Sequence, residues 1–215
     1  MKKVLVFAPH NDDEVLGVGG TIKRYSNNGD EVYVCEVTTG PHGHINQSEA
    51  KEAHKILGVK ETFFLNVPVN ELRIMDQVAL NAPIFEIVKR IETSVVFVPH
   101  IGDMHTDHGA VTSAVMVAVR PTSCNSVEKI FEYETLSETG WNIPNSVNSF
   151  IPNVWVDISN TIEDKINAMN CYENQLQIFP YPRSEKAIRA LSEYRGSTIC
   201  VNNAEAFVLV REILR

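Results

Sequence analysis

A short apolar run, Val4-Leu5-Val6-Phe7-Ala8, ends at Pro9-His10-Asn11-Asp12-Asp13-Glu14, which sets one imidazole and three carboxylates directly after a segment that reads as a buried strand. A second cluster, Asp103-Met104-His105-Thr106-Asp107-His108, comes soon after another apolar run, Val95-Val96-Phe97-Val98. Imidazole and carboxylate are suitable donors for a catalytic zinc, and in an open parallel sheet ligands bind in the crevice beyond the strands' C-terminal ends. Taken alone, His10 reads as a hydrogen-bonded loop histidine and Asp12-Asp13-Glu14 as the charge of a helix N-terminus. Two such clusters, each after a strand of one sheet, converge on one edge of that sheet and point to a metal. His105 and His108 are three apart, close together on a helix or tight turn, and Asp107 between them is placed to orient an imidazole.

The first cluster with Val15-Leu16-Gly17-Val18-Gly19-Gly20-Thr21 resembles the signature of the PIG-L/LmbE-like family of zinc-dependent de-N-acetylases, and the second resembles that family's Asp-x-His-x-Asp-His block. Similarity continues through Tyr133-Glu134, Ser137 to Trp141, Lys165, Tyr172, Gln175, Pro182-Arg183-Ser184, Arg195-Gly196 and Ala204 to Phe207. The resemblance implies one zinc held by His10, Asp13 and His108, with Asp12 as general base and a protonated His105 stabilising the oxyanion. Asp103 also matches the family block, which implies that it orients His105; on spacing alone, capping its loop is the alternative. The implied reaction is hydrolytic removal of the N-acetyl group from an N-acetylglucosamine-type amino sugar or conjugate. Arg183 and Arg195 match family positions and are candidate anchors for substrate, an Arg195–Glu205 pair being the alternative for Arg195; Tyr133, Glu134 and Trp141 are candidates for a wall on which a sugar stacks.

His42 and His44 lie in the loop after the second strand, at the same sheet edge, and are further pocket candidates. Asn11 stands where relatives have proline, and Asn46 where many carry arginine, which weighs against a carboxylate-bearing substrate such as a glucosaminyl-malate. A two-histidine, one-carboxylate iron oxygenase shares the donor set but leaves Asp12 without a task. A non-catalytic sugar- or metal-binding module needs neither Asp12 nor His105. Gly17-Val18-Gly19-Gly20 is no dinucleotide fingerprint, because Ile22 takes the third glycine position and acids precede the turn.

These residues need a scaffold, and alternating strand and helix signals supply one. Strands are expected at 3–9, 31–37, 63–65, 95–98, 130–133 and 153–158, and helices at 13–27, 48–57, 77–92, 108–119, 162–179 and 184–195. Residues 38–47 read as a loop, and 204–214 as a mixed strand and short helix. The pattern is that of a Rossmann-like, doubly wound α/β fold, a mostly parallel sheet with helices on both faces, in a single domain over 1–215. Net charge −8, from 19 Lys plus Arg against 27 Asp plus Glu, argues against nucleic-acid or anionic-membrane partners and leaves a small amino-sugar molecule. The first apolar run is too short for a signal peptide or a membrane span, so a cytoplasmic protein is expected; the family resemblance implies a homo-oligomer. Cys35, Cys124, Cys171 and Cys200 form no Cys-x-x-Cys pair and read as small buried hydrophobes.

Overall fold

The computed structural model describes residues 1–215 apart from Pro41, Asn70 and Arg73. Its elements are β1 (Lys3–Ala8), α1 (Asp13–Asn27), β2 (Glu31–Thr39), α2 (Gly43–Leu57), β3 (Glu61–Pro68), α3 (Gln77–Ile91), β4 (Val95–Pro99), α4 (Thr106–Ala118), β5 (Lys129–Tyr133), β6 (Val154–Asp157), α5 (Ile162–Met169), α6 (Glu185–Ser197) and β7 (Ala204–Glu212). A short 3-10 helix, Thr139–Trp141, lies between β5 and β6.

The strands form one sheet in the order β3-β2-β1-β4-β5-β7-β6. β1 to β5 pair in parallel, and β7 runs antiparallel to both its neighbours. Apolar side chains of β1 alternate between two cores: Val4 and Val6 pack with α1, α2 and α5 on one face, Leu5 and Phe7 with α3 and α4 on the other. Burial on both faces is why β1 and β4 are continuously apolar, and the fold is the expected mostly parallel α/β sheet covered on both sides. The chain leaves β1 toward β2 in one direction and β4 toward β5 in the other, which opens a crevice between the ends of β1 and β4.

Several expectations change. α2 starts at Gly43, so most of the expected 38–47 loop is strand or helix, and Pro41 falls outside the described residues. The helix expected over 162–179 stops at Met169: Tyr172 turns into the interior, where its hydroxyl meets Glu14, and the chain proceeds through turns that bring Asn174 and Gln175 to the crevice. Residues 204–212 are strand throughout, without the expected short helix. Cys35 is buried, but Cys124 and Cys171 are half-buried and Cys200 is exposed.

α1 is seated by close approach and by a buried ion pair. A methyl group on Gly17 would stand 2.2 Å from the Tyr133 ring, and one on Gly20 would stand 2.8 Å from Ile158. Glu205 of β7 accepts the backbone N–H groups of Gly20 and Thr21 at 2.9 and 2.8 Å, and Lys165 of α5 bridges Glu205 (2.6 Å) and the Leu16 carbonyl (2.8 Å). Gly17→Ala is expected to cost a net stability of about 1–2 kcal/mol, because overpacking against Tyr133 outweighs the gain in helix propensity. Urea unfolding reads this directly, and an unchanged midpoint would show that the Tyr133 ring yields freely.

Candidate metal centre

Both clusters emerge into the crevice. At the turn from β1 into α1, Asp12 adopts a left-handed backbone (φ 115°, ψ −25°), a conformation costly for a residue with a Cβ. The Asp12 N–H is bound by the carboxylate of Glu14 (3.2 Å), itself held by the Tyr172 hydroxyl (2.5 Å) and His54 (3.2 Å). The turn sends the side chains of Asp12 and Asp13 to different partners. Asp13 Oδ2 lies 3.1 Å from His10 Nδ1 and 3.2 Å from His108 Nε2, while Asp12 lines the open cleft with Arg183 Nε 3.4 Å away.

His10, Asp13 and His108 offer one donor atom each, all within 4.8 Å of one another. The other nitrogen of each imidazole meets a carboxylate: His108 Nδ1 is 2.7 Å from Asp103, and His10 Nε2 is 3.2 Å from Asp107. Such outer carboxylates fix ring orientation and raise the basicity of the nitrogen that faces a metal. Asp103 therefore serves His108 rather than His105, because its position five residues upstream turns back onto the first turn of α4. Among the described residues, buried atoms without a hydrogen-bond partner concentrate here: both Asp12 oxygens, Asp13 Oδ1 and His108 Nε2. Buried polar groups are normally satisfied, so this set of orphaned lone pairs fits a cation.

Two other groups approach ligand spacing. His10, His105 and Asp107 form one, but His105 Nδ1 already accepts the Asp107 N–H at 3.3 Å. Glu14, Glu36 and His54 form a deeper one, in which His54 is tied to Thr62 and Glu14 to Tyr172, while burial raises the Glu36 carboxyl well above the usual range and so opposes the ionised form a cation needs.

The hydrogen bond to His105 Nδ1 leaves the ring proton on Nε2. Burial, aided by the nearby His10, lowers the His105 pKa below its ordinary value. Among the chain's own groups, burial opposes charge on His10 and His108, yet their carboxylate partners raise them to about 9 and about 10. Burial favours a neutral Asp13, but the charge of His108 and the hydrogen bond from His10 overcome it and hold its pKa well below the usual range. Asp12 is raised to about 8 by burial, against the pull of Arg183.

The cleft in front of these groups encloses about 350 Å³. His42, Asn46, Gln175 and Arg183 line it, as do Thr38 and Asn174, two residues that no motif flags. His44 is exposed in the first turn of α2. Trp141 is exposed beside a neighbouring cleft that shares Arg183. Three expected contacts are corrected. Tyr133 is fully buried with its hydroxyl on the Phe7 carbonyl, and so is part of the core under Gly17 rather than a sugar wall. Glu134 and Arg195 bind each other through two hydrogen bonds of 2.8 and 2.7 Å, and Glu205, the other partner considered for Arg195, is taken by Lys165.

A doubly wound sheet with two histidines and a carboxylate at ligand spacing by its switch point defines an α/β protein with a candidate metal site. The chain matches the PIG-L family, described as GlcNAc-PI de-N-acetylase, over residues 5–119, and belongs to that deacetylase family. It is 30% identical over 165 residues to the uncharacterised deacetylase YaiS of Escherichia coli (strain K12), covering 73% of this chain and 82% of that protein. It is 25% identical over 211 residues to the diacetylchitobiose deacetylase of Thermococcus kodakarensis, covering 91% and 78%. A crystal structure of a conserved protein from Thermus thermophilus superposes with a TM-score of 0.82 at 28% identity, covering 100% of this chain and 97% of the other. Among the described residues, no helix is long and apolar enough to cross a membrane.

Because His10 and His108 hold their protons up to about 9 and about 10, a cation must displace them at pH 7. Divalent-metal affinity is expected to rise steeply from pH 6.5 to about 9 and to level off above about 10. Calorimetry of Zn²⁺ binding to chelator-treated protein, in buffers of different ionisation heat, should show proton release at pH 7; binding without it would contradict the paired-imidazole geometry.

Proposed function

We propose that this chain is a zinc-dependent hydrolase that removes the N-acetyl group from an N-acetylglucosamine-type amino sugar or its conjugate. The observation that carries the reading is the convergence of His10 Nδ1, Asp13 Oδ2 and His108 Nε2 beside an Asp12 whose two oxygens accept no hydrogen bond among the described residues. Membership of a deacetylase family, and the diacetylchitobiose deacetylase among its relatives, support the choice of an N-acetylated sugar.

His10, Asp13 and His108 would hold the zinc, a donor set of the kind that leaves a position open. Zinc held there supplies a Lewis acid that acidifies water and polarises a carbonyl oxygen. Asp12 takes the proton of the water that attacks the acetamide carbon; burial raises its pKa to about 8, and a cation held beside it would favour the ionised form this task needs. His105 donates its Nε2–H to the oxygen on which negative charge develops. The proton carried by Asp12 passes to the leaving nitrogen as the C–N bond breaks, which yields acetate and a free amine. Arg183, close to Asp12 and donating to Gln175 at 2.6 Å, keeps the Asp12 carboxylate in place.

Asp12→Asn is expected to retain one zinc per chain while losing acetate release by about 10²-fold or more. His108→Ala is expected to lose the metal, read by elemental analysis. Near-normal turnover in the first variant, or stoichiometric zinc in the second, would overturn the assignments; a requirement for dioxygen would instead favour iron oxygenase chemistry.

A further inference from the structure

Arg183 stands between two clefts. Its side chain lines the cleft that contains Asp12, and it also lines a second one of about 320 Å³ with Glu138, Trp141, Gln177, Tyr181 and Pro182. Arg183 is the shared wall, so a ligand in the second cleft lies next to the one that contains Asp12 and His105. Trp141 is 61% and Tyr181 62% exposed. Large aromatic rings gain most by burial, and two of them left open on one small cleft form a surface that a ligand can cover. Both are held by backbone contacts. Asn142, next to Trp141, donates to the Gly102 carbonyl at 2.7 Å, and the Ser184 hydroxyl donates to the Tyr181 carbonyl at 2.7 Å. Apolar faces flanked by a carboxylate and an amide suit a ring with a C–H face and a hydroxyl edge, which is a pyranose. Arg183, the one cation at this cleft among the described residues, faces Asp12, so its charge is already engaged and the lining offers little to an anionic group.

The geometry points to a second sugar subsite at Trp141 and Tyr181, so that the substrate is a neutral N-acetylated oligosaccharide of at least two rings. This inference rests on the de-N-acetylase reading. One ring presents its acetamide to Asp12 and His105, and the neighbouring ring lies across Arg183 on the two aromatic faces. Binding energy gained on that second ring orients the first, which raises kcat/KM for the longer substrate.

The test uses the zinc-loaded full chain with N-acetylglucosamine, N,N′-diacetylchitobiose and octyl N-acetylglucosaminide, scored by acetate release. The disaccharide is expected to exceed the monosaccharide in kcat/KM by about tenfold or more. Trp141→Ala and Tyr181→Ala should each shrink that ratio severalfold, and Trp141→Phe should restore most of it. Equal kcat/KM for one and two rings, or a ratio unmoved by Trp141→Ala, would overturn the subsite. A larger gain from the octyl chain than from the second ring would overturn it in favour of an apolar aglycone. Should no substrate release acetate, the hydrolase reading fails, and the subsite is still decided by fluorescence. Diacetylchitobiose should quench tryptophan emission saturably, with the quench lost in Tyr181→Ala, and no quench overturns the proposal.

Discussion

The Asp13 carboxylate, buried between His10 and His108, is the contact on which the rest of the site depends. It joins the end of β1 to the start of α4, two segments that sequence separates by almost a hundred positions and the sheet makes neighbours through β1–β4 pairing. Without a counter-charge, a carboxylate at this depth would be neutral or would destabilise the fold. With two imidazoles facing it, and with Asp103 and Asp107 behind them, charge alternates outward through the cluster. A cation fits at the middle of that alternation, and the outer carboxylates hold the rings in place for it.

A second constraint lies behind the first. Asp12 occupies a backbone region that costs about 1–3 kcal/mol for a residue of its kind, and such strain persists only where the surroundings over-determine it. Here the surroundings are Glu14, Tyr172 and His54, from three separate elements or turns, closing on the Asp12 N–H. The turn separates adjacent carboxylates: Asp13 faces the imidazoles and Asp12 faces the cleft. One pair of neighbouring residues thereby supplies two environments, one holding a carboxyl ionised and the other raising its pKa.

Much of this is legible in the sequence, for physical reasons. A strand buried on both faces must be apolar without interruption, so the abrupt arrival of His10 and Asp12-Asp13 after Ala8 marks a strand end with chemistry on it, and β1, α1 and β4 can be read almost to the residue. The parallel sheet follows from the alternation of elements. Other features depend on partners far away in sequence. Tyr133 reads as a surface aromatic until Gly17 is seen to make room for its ring. The Arg195–Glu134 pair spans 61 positions. The spacing of Ile162, Ile166 and Met169 continues in phase to Leu176, yet the chain turns at Asn170 because Tyr172 is drawn to Glu14. That His105 Nδ1 is an acceptor is set by a single backbone N–H, which no motif encodes.

Helix α1, which carries Asp13 and follows directly on Asp12, is gripped from the far end of the chain by Glu205 and Lys165. The three side chains of the candidate centre lie at or before the midpoint of the polypeptide, but the clamp that seats α1 comes from α5 and the last strand. During synthesis, then, the donors exist long before the helix beneath them is locked, and a contact of such long range closes late. The seat of α1 is complete only with β7 in place against β5, which ties the geometry of Asp12 and Asp13 to the antiparallel edge of the sheet.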